Sequence, residues 1–374
     1  MSSSAQHQYL STRHFASLDG LRCLSIVPVI WHHSTPYPFP GFWGRGPAGV
    51  DLFFCISGFL ITTLLLREKA KQGRISLRNF YLRRALRIFP LYYLTLFGHL
   101  IFVLLLLPAN HPSGGHFWGA LPFYLTFTAN WFVNLALPFP MIFSFAWSLC
   151  VEEQFYAFWP GLVSSLRRTG MIVAMSLLLG VDLLLQRGWP VQLASDGVAF
   201  RIATSLATPI CLGAILALLL DSPRGFAVLW RLLGHPLSAP LSFVALLACL
   251  FNPSPLGIGY QLALAALVGS CVIQEGHPLR TMLTTRPVVY VGQISYALYL
   301  LHPGAIGLIH VLLPQYRHQA LVVFALTLPL ALALAALSHR FLEAPLQRYR
   351  ERFRGDQLSA IKHTTSNGPV LSIT

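Results

Sequence analysis

Arg22-Cys23-Leu24-Ser25-Ile26-Val27-Pro28-Val29-Ile30-Trp31-His32-His33 places an arginine and two histidines at the ends of an otherwise apolar run. On a helix of 3.6 residues per turn, His33 follows Arg22 by close to three turns. The two then share a face about 16 Å apart, with His32 rotated roughly 80° away. An imidazole held in apolar surroundings is a candidate general base for proton removal from a hydroxyl. His32, beside Trp31, reads instead as an anchor at the membrane interface, and Pro28 can kink the helix between the two ends.

Four other stretches carry groups of the same kind. Asp51, in GVDLFFCISGFL, enters an apolar run and needs a partner from another helix: His33, Arg22, or the dipole at its own helix start. Arg83, Arg84 and Arg87, in FYLRRALRIFPLYY, fall within about one turn, where they could clamp phosphates by bidentate hydrogen bonds or simply anchor the loop. Glu152 and Glu153, in FAWSLCVEEQFYAFWP, point about 100° apart, so one faces a site while the other has a supporting or solvent position. Trp147, Tyr156 and Trp159 suit an interface or the face of a sugar. Ser295, Tyr299 and His302, in ISYALYLLHP, lie at spacings of four and three on one helix face.

The elements that must position these groups are membrane helices. The chain has 374 residues, 55% of them hydrophobic and only 10% charged, against about 25% charged in a soluble domain. Apolar runs near 20 residues recur, each long enough for a bilayer core. The expected fold is all-α, a polytopic bundle of ten spans at about 18–37, 48–66, 88–107, 146–166, 169–186, 200–220, 236–251, 256–274, 288–312 and 319–339. Residues 118–137 are read as re-entrant or interfacial, because a crossing there would place Arg167 and Arg168 outside. Arg67, Lys69, Lys71, Arg74, Arg78, Arg83, Arg84 and Arg87 stand against a lone Glu68 in one loop. That loop is expected on the cytoplasmic side, with both termini. Residues 1–16 read as a polar N-terminal tail without signal-peptide order, 17–346 as the membrane domain and 347–374 as a polar, disordered tail.

The net charge of +14 follows from such loops, and no groove-reading motif accompanies it, so a nucleic-acid partner is not expected. The six cysteines form no C-x-x-C pair. Buried thiols are expected, and no metal.

Taken in order, LDGLRCLSIVPVIWHHS, GVDLFFCISGFLI, RRALRIFPLYY, WSLCVEEQFYAFWP, SYALYLLHP and FLEAP resemble the successive motifs of the membrane acyltransferase-3 family over about residues 17–346. That family includes bacterial O-antigen acetylases, Nod-factor acetylases and macrolide acyltransferases. The resemblance implies transfer of an acyl group, usually acetyl, from acyl-CoA to a hydroxyl of a surface polysaccharide or glycolipid in the inner membrane. It maps the family's arginine and histidine onto Arg22 and His33, its arginine-rich motif onto Arg83, Arg84 and Arg87, and its paired acids onto Glu152 and Glu153. Departures are Cys23 in place of a small residue, Pro28 and the extra His32. The extracytoplasmic hydrolase-like domain fused in some members is not recognisable in these residues. On this reading His33 is the base, oriented by Asp51 or a glutamate. Arg22, Arg83, Arg84 and Arg87 hold the acetyl-CoA donor. Glu152, Glu153 and Trp147 lie on the outer side with the carbohydrate acceptor, and Tyr299 and His302 add substrate contacts. The alternatives are acylation of a macrolide or other secreted metabolite and, in a different class, a proton-coupled transporter relaying protons through the buried His, Asp and Glu.

Overall fold

Every described element is helical, the arrangement that satisfies backbone hydrogen bonds inside a bilayer. The computed structural model describes residues 2–35, 41–108, 110–134, 142–186, 197–205, 208–252, 254 and 256–352. In chain order the helices are α1 (Ser2–Ser11), α2 (Ala16–Ser34), α3 (Ala48–Gln72), α4 (Leu77–Leu106), α5 (Pro112–Leu125), α6 (Ala129–Phe132), α7 (Trp147–Ser165), α8 (Arg168–Gln186), α9 (Val198–Ala203), α10 (Thr208–Leu220), α11 (Pro223–Leu233), α12 (Ser238–Phe251), α13 (Ile258–Ile273), α14 (Arg280–Leu283), α15 (Arg286–Gln293), α16 (Ser295–Leu312), α17 (Ala320–Ser338) and α18 (Ala344–Arg352). A π turn, His339–Glu343, joins α17 to α18.

Six stretches among the described residues are long and apolar enough to cross a membrane: α3, α4, Arg168–Leu185, Val198–Leu220, α16 and Ala320–Tyr349. The pair α11 and α12, bent by 72°, would make a seventh. The expected ten is therefore not reached by length and apolarity. The helices that fall short do so for two reasons. At 19 residues each, α2 carries Asp19, Arg22, His32 and His33, and α7 carries Glu152 and Glu153. At 14 and 16 residues, α12 and α13 are shorter than the roughly 20 that a full crossing needs.

The segment expected to be re-entrant is not one helix. It breaks between α5 and α6 at Phe127, whose φ is 54°. The carbonyls around the break are taken up by other helices: Tyr92 and Tyr93 of α4 donate to Tyr124 and Leu125 at 2.8 and 3.0 Å, and Gln154 of α7 donates to Phe127 at 2.8 Å. Tyr92 lies halfway along α4, so the break sits at mid-depth of that helix. Irregular backbone at this depth is tolerated because it is buried in protein and its polar groups are satisfied. Residues 135–137 of the expected segment lie outside the described residues.

The N-terminal stretch is no free tail. Tyr9 of α1 is buried and stacks on Phe15 with ring centroids 5.7 Å apart. Arg67 caps the stretch by donating to the carbonyls of Thr12 and Tyr9 at 2.6 and 3.0 Å. At the other end α18 continues to Arg352, into the stretch expected as a tail; residues 353–374 lie outside the described residues.

Helix α2 is gripped by backbone approaches close enough to require glycine. A Cβ on Gly49 of α3 would fall 2.2 Å from the Ser25 carbonyl oxygen, and one on Gly292 of α15 would fall 1.9 Å from that of Asp19. These contacts set the height and rotation of α2, and with them Arg22 and His33. Gly292→Ala is accordingly expected to cost about 1–3 kcal/mol through overpacking, read as a lower melting temperature in detergent. Gly98→Ala, inside α4 where an added Cβ meets nothing within 4 Å, is the control expected not to lower it, since Ala favours a helix interior over Gly by about 0.5–1 kcal/mol.

Candidate active site

Helix direction organises the site. At one end Arg22 of α2 and Ser295 of α16 line the same cleft; at the other His33 and His302 meet. The two helices therefore run parallel. Helix α7 runs against α16, because Ser148 pairs with Tyr299 while Glu152 and Tyr156 reach the arginine end. Helix α4 runs against α7, with Arg84 stacked over Tyr156 and Tyr81 donating to the Ala157 carbonyl at 2.5 Å. The end of α4 and the start of α7 therefore lie at the same end of this helix pair.

The cleft encloses about 690 Å³ of space, part of it open to solvent. Its walls include Arg22, Arg84 and Arg87 with Ser57, Glu152, Tyr156, Tyr296 and Tyr299. Three guanidiniums against one carboxylate make it a positively charged cavity, suited to phosphate oxygens. Glu152 is held in place by two donors, the Ser57 hydroxyl and the Tyr156 hydroxyl, the latter at 2.5 Å. Arg84 lies over the Tyr156 ring at 4.8 Å, a cation–π contact that fixes its guanidinium. Arg22 has Asp19 3.6 Å away, one turn back on its own helix.

The floor of the cleft is Tyr299, whose hydroxyl donates to the Phe145 carbonyl at 2.8 Å and accepts from Ser148 at 2.6 Å. Its ring centroid stands 5.8 Å from that of His302. His302 is fully buried, and its Nε2 lies 3.0 Å from Nδ1 of His33. His33 itself is exposed. From the Arg22 level to the His33 level is about 16 Å along α2 at 1.5 Å per residue.

Several expected positions differ from those observed. Arg83 does not line the cleft: it pairs with Glu68 at 3.0 Å, and Glu68 also accepts from the Ser76 backbone N–H at 2.8 Å. Helical rotation by 100° separates it from Arg84 and turns it onto the α3–α4 connection. Asp51 is met by neither His33 nor Arg22; it accepts from Tyr260 of α13 at 3.1 Å, because its side of α3 faces α13. Glu152 sits among the arginines rather than on the far side, since α7 descends toward them, and Glu153 is not part of the lining. Trp147 packs edge-on against Phe54 with centroids 6.2 Å apart, outside the lining as well. Tyr299 joins the cleft and His302 joins His33, as one face of α16 allows. His32 lies against Gly46 on the α3 side.

Sequence reasoning missed Asp19, Ser148 and Tyr296. Asp19 was accessible as an i,i+3 partner of Arg22; the other two lie inside motifs already singled out, but nothing in their spacing said that they line the cleft.

A family model described as an acyltransferase domain matches residues 15–340. The chain is 29% identical to a Staphylococcus aureus (strain COL) protein named "Putative O-acetyltransferase", over 91% of this chain and 58% of that one. It is 28% identical to the "Putative peptidoglycan O-acetyltransferase YrhL" of Bacillus subtilis (strain 168), over 91% and 56%. To the peptidoglycan O-acetyltransferase OatA of Listeria monocytogenes it is 26% identical, over 90% and 56%. The chain thus spans a little over half the length of these relatives. No solved structure matches it. The motifs on α2, α3, α4, α7 and α16 that build the cleft and the histidine pair all fall inside the matched region, and the chain belongs to the acyltransferase-3 family.

Proposed function

We propose that the chain transfers an acyl group, acetyl foremost, from acyl-CoA to a hydroxyl of a cell-surface glycan, with peptidoglycan as the acceptor class. The observation that carries this reading is the arrangement of α2 and α16: an arginine-lined cleft at one end and an exposed histidine at the other. Coenzyme A has the matching shape, with phosphates at one end, a thioester at the other and an extended pantetheine arm between them. The peptidoglycan acceptor is supported by the names of two relatives. The basic loop between Arg67 and Arg87 supports a cytoplasmic face for the arginine end and both termini, in the cytoplasmic membrane.

In this mechanism Arg84, Arg87 and Arg22 hold the phosphates, with Glu152 and Tyr156 keeping Arg84 in place. His33 takes the proton of the acceptor hydroxyl as its oxygen attacks the thioester carbonyl. The C–O bond forms, the C–S bond breaks, and the proton passes from His33 to the departing thiolate. We read α2 and α7 as crossings, with Arg22 and Glu152 facing the cleft and His33 facing His302 rather than lipid.

The test uses membranes containing the full chain, acetyl-CoA labelled in the acetyl group, and added peptidoglycan fragments. Label is expected in base-labile ester on the fragments. Label appearing on secreted small metabolites but never on glycan would overturn the acceptor assignment. No transfer to any acceptor, with acetyl-CoA still binding, would overturn the acyl-transfer reading.

A further inference from the structure

His302 stands out by its position. A fully buried imidazole on an apolar helix face costs free energy unless its nitrogens are satisfied. It is surrounded by Tyr299 and Phe145, with centroids 5.8 and 6.1 Å away, where a leucine would pack without that cost. Both of its nitrogens are engaged. Nδ1 lies 3.1 Å from the Leu298 carbonyl, one turn back on α16, and Nε2 lies 3.0 Å from Nδ1 of His33.

The donor directions follow in sequence. A carbonyl only accepts, so Nδ1 of His302 carries its proton. In neutral His302 the other nitrogen, Nε2, is then a bare lone pair. A second proton would bury a charge with no carboxylate in ion-pair contact among the described residues, an uncompensated cost of several kcal/mol. Nε2 of His302 must therefore accept, and Nδ1 of His33 must donate. In neutral His33 this leaves Nε2 unprotonated.

We infer that His302 is a positioning residue that holds His33 as the Nδ1–H tautomer, so that Nε2 of His33 is the atom that receives the hydroxyl proton. This rests on the reading of His33 as the base. It replaces the carboxylate that commonly orients a catalytic histidine with a neutral imidazole keyed to a helix carbonyl. When His33 takes up the proton at Nε2, its Nδ1–H stays bonded to His302 and the ring keeps its orientation. The device is a matter of tautomer as much as of place: with the proton on the wrong nitrogen, a correctly placed ring cannot act as base.

The test compares wild type, His302→Gln, His302→Met and His33→Gln in the full chain, by acyl-transfer kinetics and by ¹⁵N spectra of histidine-labelled protein. The His33 signals are assigned by their loss in His33→Gln. In the wild type, His33 is expected to show a protonated Nδ1 and a bare Nε2. His302→Met, similar in bulk but without a strong acceptor, is expected to lose at least tenfold in kcat, with KM for acetyl-CoA within about twofold. His302→Gln, whose amide oxygen can accept from His33 Nδ1–H, is expected to recover most of kcat.

A wild-type His33 protonated at Nε2 would overturn the inference, whatever the variants do. So would full kcat in His302→Met alongside an inactive His33→Gln, which leaves the base reading standing and removes only His302 from it. An active His33→Gln would instead overturn the base reading itself.

Discussion

His33→Ala is expected to lower acyl transfer by at least about 100-fold, the usual contribution of a general base, whereas His32→Ala is expected to stay within about threefold of wild type. The two rings are adjacent in sequence and their centroids are 5.5 Å apart, so bulk, polarity and depth are nearly matched between the variants. What separates them is direction. His33, an exposed residue, points across to α16 and reaches His302. His32 is turned toward α3, where its Cβ lies against Gly46. The measurement is the rate of labelled acetyl entering base-labile ester in membranes with equal amounts of each variant. Binding of acetyl-CoA serves as a fold control, because the arginine cleft lies about 16 Å away along α2. Equal losses in both variants would mean that the pair acts as one structural anchor. A larger loss in His32→Ala would place the base on the α3 side and dissolve the link to His302.

The same comparison indicates what could be read from sequence. The Arg22–His33 face was accessible because an undistorted helix between them obeys a single rotation per residue, and Pro28 did not disturb it enough to move either group. The Ser295–Tyr299–His302 face was accessible for the same reason. Periodicity along one helix says nothing about which neighbouring helix a face meets. Asp51 shows this: its need for a partner was plain, but Tyr260 is more than 200 residues away and belongs to a helix with no motif. The depth of Glu152 was likewise hidden, since it depends on α7 running antiparallel to α16. Length and apolarity among the described residues support six or seven of the expected ten crossings, because α2 and α7 carry charged groups and α12 and α13 are short. The re-entrant expectation rested on charge, since a segment that turns back puts Arg167 and Arg168 on the same side as the other basic loops; the break at Phe127 that splits it into α5 and α6 had no such signal. The tyrosine and glutamine side chains that make its broken backbone tolerable appear only in three dimensions.

The arginine motif divides in the same way, and its division supports the second large effect. Arg84→Gln combined with Arg87→Gln is expected to raise KM for acetyl-CoA by about 100-fold or more, since each charge-assisted hydrogen bond to phosphate is worth about 1.5–3 kcal/mol and 1.4 kcal/mol is tenfold in affinity. Arg83→Gln, one position away, is expected to leave KM within about twofold and to lower the melting temperature instead. Arg84 and Arg87 line the cleft with Arg22. Arg83 holds Glu68, which in turn caps the Ser76 N–H at the start of α4, so its loss loosens the α3–α4 connection without removing a ligand to the donor. Direct binding of a desulfo coenzyme A analogue to purified protein checks this independently of turnover, and the salt dependence of binding should weaken in the double variant alone. If Arg83→Gln raised the dissociation constant as much as the double variant, the three guanidiniums would act as one surface patch, and the cleft would lose its claim to the phosphates. If neither variant changed donor affinity, Arg22 would remain the sole candidate anchor in the cleft and the parallel course of α2 and α16 would no longer describe the path of the donor.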